Sequence, residues 1–589
     1  MPLQASLREE WGPFKGLYGN VNDSAIPHGY AAQASNVLLD NGCIEVAYGD
    51  ANASVWDDAG NVSGSQRHSS FITLPANDFG ATSDSVLSFT SAYWRKNTTI
   101  IGYATGTASV TNGSANVTGS GTAWASLSGS GATLFFKSLV ASDTTYVQID
   151  SITNDTALVL AANWTGSTDA ALTYRIAFKL VPSASYPIGR SCVVVFNGYA
   201  IMSDGTNSMF TYDGSTQLPR NNNPKVRCLE LYKRRVFGAN ITGNPHQLSW
   251  SAANDVTTDW NASADMEIFP KDGGDAIVAL KAYRNRLFVF KKTNGLIYEV
   301  RGNFDTTIGA ADEVVKVSSL TGIGVIYPKT IIEWKGVLYF LATTGLYAFD
   351  GSSIQLVTRA FEGQLTELET ENNTTLDDNL AMAFSVIYQD RMFINVTTQA
   401  DSKPTFFIVD KDFNVIKQTT NGTARTLAGN FTLARTSTTD ATWIAHVLRG
   451  VTSYMQFFTS ASYTRFTSGS TENVDHSGSC IYESEVSYQG IPEYQKDYYK
   501  FYAVFEETTA TSSFLFQYSI DNMTYSSATT VTVTGTAGKI NVAEIPIYMP
   551  NNIANARGRC IQWKITGNNL GATWKVFKVM LRYEPLALR

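Results

Sequence analysis

Charge is scarce in this 589-residue chain. Only 16% of its residues are Asp, Glu, Lys or Arg, against about a quarter in an ordinary globular protein. Thr, Ser, Asn and Gly fill the gap, a balance that suits sheets with short turns better than helices held by i,i+4 ion pairs. A basic excess is missing too: 44 Lys and Arg face 51 Asp and Glu, for a net charge of −7. A nucleic-acid clamp needs a basic surface to release counterions, so DNA near this protein is expected to slide past without specific binding. No run of 18 apolar residues occurs, and Met1–Gly16 lacks a basic start followed by an apolar stretch. Neither a signal peptide nor a membrane span is expected.

Cysteine is also sparse. Cys43, Cys192, Cys228, Cys480 and Cys560 are scattered and odd in number, which reads as small buried thiols made in a reducing cytosol. The Asn-x-Thr triplets, such as Asn97-Thr98-Thr99, then read as by-products of polar turns. His-Glu-x-x-His, Cys-x-x-Cys, Gly-x-Ser-x-Gly and phosphate-loop motifs are all absent. His28, His68, His246, His446 and His476 lie far apart. Gly129-Ser130-Gly131 lacks the third glycine of a dinucleotide loop and reads as a turn. Ser519-Ile-Asp-Asn-Met-Thr-Tyr525 approaches a sialidase-type Asp turn, with Met for Gly and Tyr for Trp. It reads as a plain hairpin turn. The expectation is no enzyme, no cofactor and no metal.

What the chain does contain is a returning pattern: an apolar strand, a tight polar turn, a second apolar strand. The turns are Asn197-Gly198, Lys233-Arg234, Arg284-Asn285, Lys335-Gly336 and Gln389-Asp390. A third strand follows three of these hairpins, within 207–214, 294–300 and 344–351, the first and last ending in Asp-Gly. Spacings of roughly 35 to 55 residues are those of propeller blades. A partial earlier copy lies at Ser88–Tyr103. From Gly106 to Thr173 the composition shifts to Gly, Ser, Thr and Ala, as for a small β-module inserted into a blade hairpin. After about Ser468, alternation in Phe501–Phe505, Phe514–Ser519 and Trp574–Tyr583 reads as a sandwich of about seven strands. The expected fold is all-β: a β-propeller platform with a small inserted β-module and a C-terminal β-sandwich. Its divisions are 1–105 (N-terminal segment and first propeller strands), 106–173 (insertion), 174–467 (rest of the propeller) and 468–589 (sandwich). The only tempting helix is Phe361–Glu371.

Three stretches resemble a known family. Phe14–Asn22, Ile26–Val37 and Asn41–Gly49 match the opening of many phage tail proteins: a Gly-Leu segment, then Pro-His-Gly-Tyr-Ala ending in Asn-Val, then a Gly turn into a strand. Ala47-Tyr48-Gly49 stands where many relatives carry Arg-x-Gly. Leu248–Trp260 resembles that family's strand, Asn-Asp turn and closing Trp, with Val256 where Pro is usual. Ser109–Trp124 looks like a small β-module found in tail and fibre proteins. Similarity to the nozzle, or tail tubular protein B, of short-tailed phages implies a hexameric ring below an adaptor ring. Such a ring passes DNA through its axis, helps hold the fibres, and is made in the host bacterial cytoplasm for the virion tail.

Two sets of residues are candidate sites. Glu362, Glu367, Glu369, Glu371, Asp377 and Asp378 form an acidic run without a Lys or Arg among them. It reads either as a solvated segment between blades or as carboxylates facing a DNA channel or basic partner, where repulsion would keep a duplex centred. Trp124 and Trp164 in the insertion read either as module core or as glycan or fibre contacts. The latter would suit the alternative function, an adhesin-type tail propeller that recognises host surface glycan.

Overall fold

In the computed structural model the described residues are, apart from short interruptions, 7–46, 68–180, 191–260, 276–301, 327–360, 384–419 and 480–586. Isolated strands within 51–56, 266–268, 315–320 and 426–457 are described as well. The fold is all-β: its helical content among these residues is short 3-10 turns such as Trp124–Leu127 and Pro328–Thr330.

Among the described residues seven blade units make a β-propeller: five are separate four-stranded sheets, one is the end of a nine-stranded sheet, and one is a five-stranded sheet that also holds Thr426–Leu427. Blade 1 runs from His68 to Ile100, blade 2 from Cys192 to Arg220, blade 3 from Cys228 to Ile268 and blade 4 from Ile277 to Leu320. Blade 5 runs from Ile332 to Thr358 and blade 6 from Phe384 to Thr419. Blade 7 is composite: Thr432–Arg435, Thr442–Arg449 and Ser453–Phe457 are completed by Ala51–Trp56, which pairs antiparallel with Ser453–Phe457. Strand Thr432–Arg435 lies against the first two strands of blade 1. The ring is thus closed by a strand from the other end of the chain.

Four of the five hairpin turns read from the sequence are present, and at the fifth, whose Gln389 lies outside the described residues, Tyr388 pairs with Arg391. In the first four, at least one central residue has positive φ, as in Lys233 (44°) and Arg234 (59°). That is the type I′ geometry, whose twist matches the strands it joins. A non-glycine residue in this region costs about 1–2 kcal/mol, so something must hold these turns. Three successive blades show what does. The last aromatic of each first strand donates a hydrogen bond to the turn of the next blade. Tyr232 Oη reaches Asn285 O (2.8 Å), Tyr283 Oη reaches Gly336 O (2.5 Å) and Trp334 Nε1 reaches Asp390 Oδ1 (3.2 Å). The cation beginning each turn lies over that same ring: Lys233 on Tyr232, Arg284 on Tyr283, Lys335 on Trp334. Between blades 4 and 5 this joins an all-apolar interface of Phe288, Phe290, Phe340, Leu338 and Phe349. The Asp-Gly endings are explained as well. Asp350 accepts from the backbone N–H of Ser353 and Ser352, donors that hold its carboxyl well below the usual range.

The domain boundaries differ from those read in the sequence. The module's eight-stranded sheet runs from Gly102 to Lys179, and Tyr174–Lys179 is one of its strands, paired with Thr133–Ser138, rather than the resumption of a blade. The module stands between complete blades 1 and 2, not inside a blade hairpin. The N-terminal residues join the C-terminal region. Leu7–Trp11, Val37–Asp40 and Cys43–Val46 lie in one sheet of the sandwich with Lys575–Pro585 and Lys496–Glu506. Ala31–Ser35 lies in the other, between Ile481–Ser484 and the last strand of blade 6, Val415–Thr419. One sheet therefore continues from propeller into sandwich. At this seam Leu17 N donates to Val415 O, and a Cβ on Gly16 would meet that oxygen at 2.3 Å. Between the two sheets Trp11, Phe14, Tyr482, Phe501, Phe516 and Trp563 pack as one aromatic core.

The staple at Tyr283 generates a test. Tyr283→Phe keeps the ring and leaves Gly336 O its bond from Arg284 (2.8 Å), so it should cost only about 1 kcal/mol. Tyr283→Ala also opens a cavity at a 2% exposed site and should cost about 3–5 kcal/mol. Chemical denaturation followed by tyrosine and tryptophan fluorescence checks the order of the two.

Candidate functional site

The two sets of residues singled out in the sequence fare differently. Glu362, Glu367, Glu369, Glu371, Asp377 and Asp378 lie outside the described residues, as does the tempting helix Phe361–Glu371. Trp124 and Trp164 are 0% and 1% exposed. Trp124 Nε1 donates to Tyr174 Oη (2.8 Å), which donates in turn to Thr105 O (2.6 Å). Trp164 packs edge-on against Phe136 and donates to Ser167 O. Neither indole offers a face to a saccharide or a fibre, so the contact expectation is corrected: both rings are module core. The sialidase-like stretch is a hairpin turn. Ser519 Oγ donates to Met523 O, and Asp521 Oδ1 accepts from Arg559 N and Cys560 N.

The family-like stretch Leu248–Trp260 has a structural explanation. Asp255 Oδ1 accepts from the backbone N–H of Thr257 and Thr258, while Oδ2 accepts from the Thr258 hydroxyl. These bonds, that of the Thr258 hydroxyl foremost, bring the carboxyl down to about 2. The turn sets Val256 and Trp260, each 4% exposed, into the interface of blades 2 and 3.

The cluster of ionisable groups with the most chemistry was not visible in the sequence. It lies where the N-terminal strand meets the sandwich. A cavity of about 280 Å³ is lined by Glu9, Ile26, His28 and residues 485–490. Pairing of Leu7–Trp11 with Lys575–Pro585 sets Glu9 at this place, and the turn before Ala31–Ser35 brings His28. His28 Nδ1 is 2.8 Å from Glu485 Oε1 and 3.8 Å from Glu9 Oε1, and Nε2 is 2.8 Å from Glu10 O. With acceptors at both ring nitrogens, the imidazolium is favoured. The bond to Glu485 is the main reason that His28 is raised to about 9. Trp11 Nε1 also donates to Glu485 Oε1 (2.6 Å), and Ser487 Oγ to Glu9 Oε1 (2.5 Å). Burial pushes the Glu9 carboxyl up, against the bonds from Ser487 and Gln489. Glu9 and His28 are separated from Glu485 by more than four hundred residues, so no local spacing could announce the group. The one sequence hint is Ser484-Glu485-Val486-Ser487, a polar interruption in strand-like sequence.

Among the described residues no three His, Cys, Asp or Glu side chains gather as a metal site, and no helix is long and apolar enough to cross a membrane. All five cysteines are free of disulfides, and burial raises Cys228 to about 12.

No family model and no curated protein sequence matches the chain. Solved structures with a similar course of strands include an exo-β-1,3-galactanase from Phanerochaete chrysosporium. It is 7% identical, covers 68% of this chain and 96% of its own, and has a TM-score of 0.21. A quinonprotein alcohol dehydrogenase-like protein from Bacteroides thetaiotaomicron is 9% identical, covers 64% and 97%, and has a TM-score of 0.24. Likenesses this remote carry no activity over to this chain.

The His28 clasp has a pH signature. A raised folded-state pKa means that its contribution is complete below the unfolded value near 6.5 and is lost as pH rises through about 9. Histidine-selective NMR should show His28 titrating well above the ordinary imidazole range, and Glu485→Gln should return it toward that range. Amide protection factors in Leu7–Trp11, exchange rates corrected for intrinsic base catalysis, should fall between pH 7 and 10 in the wild type and much less in His28→Gln.

Proposed function

We propose that this protein is a structural subunit of a short phage tail, forming the nozzle ring through which DNA leaves and to which fibres attach. The observation that carries the reading is where the tail-like opening sequence lies. The described residues within 14–46 form the seam of the molecule, Ala31–Ser35 joining blade 6 to the sandwich. In the Gly-Leu segment resembling the family's opening the backbones approach closely, Gly16 against Val415. A body stitched in this way resists deformation, as the wall of a pressurised conduit must.

The propeller's own axis is no conduit for DNA. Lys329, ahead of blade 5, donates across to Ser191 O, ahead of blade 2 (3.4 Å). Those blades are three steps apart in a ring of seven, so the side chain crosses the axial space. A duplex whose major groove alone is about 12 Å wide does not pass there. A DNA path therefore has to be built between copies, as in a hexameric ring with adaptor and fibre contacts at its faces. The net charge of −7 fits a lumen that repels rather than grips DNA. The adhesin alternative loses the two indoles on which it drew.

Electron microscopy of the purified protein and of the virion tail tests the proposal. The expected particle is a six-fold ring with an axial lumen dominated by acidic groups. A monomer or trimer that binds cell-surface glycan, or a predominantly basic lumen, would sink it.

A further inference from the structure

One sheet of the C-terminal sandwich ends in an open strand. Ile540–Pro546 is the last strand of that sheet and, among the described residues, pairs only with Lys496–Glu506. Glu507 N donates to Lys539 O, and Ile547 N to Tyr499 O. Odd-numbered residues therefore exchange bonds with the neighbouring strand, and the backbone groups of Ile540, Val542 and Glu544 point away from the sheet. The Val542 N–H is taken up by the Asn541 side chain (2.8 Å). Side chains alternate as well. Ala543 and Ile545 turn into the core. Ile540 and Val542 turn outward, 59% and 49% exposed, more than any other described Leu, Ile or Val. Sheet edges are commonly blunted by lysine, proline or a bulge. Between Ile540 and Glu544 there is none of these. The last strand of the other sheet, Thr529–Thr532, is different: its exposed residue types are threonine, and Val531 is buried.

We propose that two copies of this chain meet at this edge, strand to strand and antiparallel, about a two-fold axis at Asn541. Ile540 of each copy then lies opposite Val542 of the other. The edge is complementary to itself in this register, as a two-fold contact requires. Only even-numbered residues present backbone groups, so each hydrogen-bonded pair must join two of them. Centring on Asn541 makes the 540–542 pair twice, and it gathers four aliphatic side chains on one face. Val504, opposite Val542 within the chain, extends that cluster. Centring on Val542 or Ala543 would instead set Ile540 against Glu544 or Pro546. On docking, the Val542 N–H passes from the Asn541 side chain to the Ile540 carbonyl of the other copy. Charge does not oppose the contact. Lys500 is paired with Glu544 (2.7 Å) and Lys539 with Glu507 (3.7 Å) inside the chain, so neither copy brings an unmatched field to the edge. A two-fold contact is not the interface of a six-fold ring, and it stands apart from the phage-tail reading.

The experiment is sedimentation velocity of the full-length protein across micromolar to millimolar concentrations, with Val542→Lys and Ile540→Glu as variants. Both positions are half-exposed, so the variants should fold, and circular dichroism checks that they do. Expected is a wild-type assembly whose mass each substitution halves, with self-association weakened at least tenfold. An equimolar mixture of the two variants should recover the wild-type mass, because the opposite charges introduced at 542 and 540 then face each other. A wild type that stays monomeric, a mass unchanged in Val542→Lys, or a mixture that stays halved would each overturn the proposal. Whether the masses are multiples of six subunits tests the ring and not this contact.

Discussion

A propeller blade buries both of its faces against its neighbours, so it has no core of its own and depends on its orientation to the next blade. From blade 3 to blade 6 that orientation is held by one repeated contact. An aromatic at the end of a blade's first strand donates into the following blade's turn, and the cation beside it lies on the same ring. Tyr232, Tyr283 and Trp334 do this in sequence. The turns they reach are built from residues such as Arg284 and Asn285 in the left-handed region, which would be strained alone. Each of these three turns is held by the preceding blade, and each of their blades is aimed by its own turn. Local strain and long-range order are the same feature seen from two sides.

Closure extends that logic to the chain ends. A ring of blades that merely abut can open at the joint between last and first, and here a single early strand, Ala51–Trp56, completes the last blade. The strands just before it enter the sandwich, whose other strands come from the end of the chain. Releasing either end would therefore disturb both bodies. The buried Trp11, which packs on Trp563 and donates to Glu485, shows how polar and apolar contacts share this work. The indole ring fills the core, and its N–H helps satisfy a carboxyl that burial would otherwise leave exposed to its full desolvation cost.

The division between what the sequence discloses and what it hides follows from range. The hairpin turns were legible because a type I′ turn and two flanking apolar runs are contiguous in sequence, as at Tyr232-Lys233-Arg234-Arg235. The module was legible from its shift in composition. Its last strand, Tyr174–Lys179, was not, because an apolar alternation looks the same whether it pairs with Thr133–Ser138 or with a blade. The N-terminal strands were assigned by proximity in sequence to the first blade, while hydrogen bonding over more than five hundred residues decided otherwise. Trp124 and Trp164 could be read either way because an aromatic among Gly, Ser and Thr carries no sign of its exposure. Glu9, His28 and Glu485 had no signal in spacing at all.

The seam explains why acidic groups are tolerated at so consequential a joint. Two carboxyl groups brought together without compensation repel, and burial raises the cost further. His28 offsets part of this by bonding Glu485 while lying within 4 Å of Glu9. The clasp therefore ties the first strand and the turn before Ala31–Ser35 to residues near the other end of the chain through charge as well as through backbone pairing.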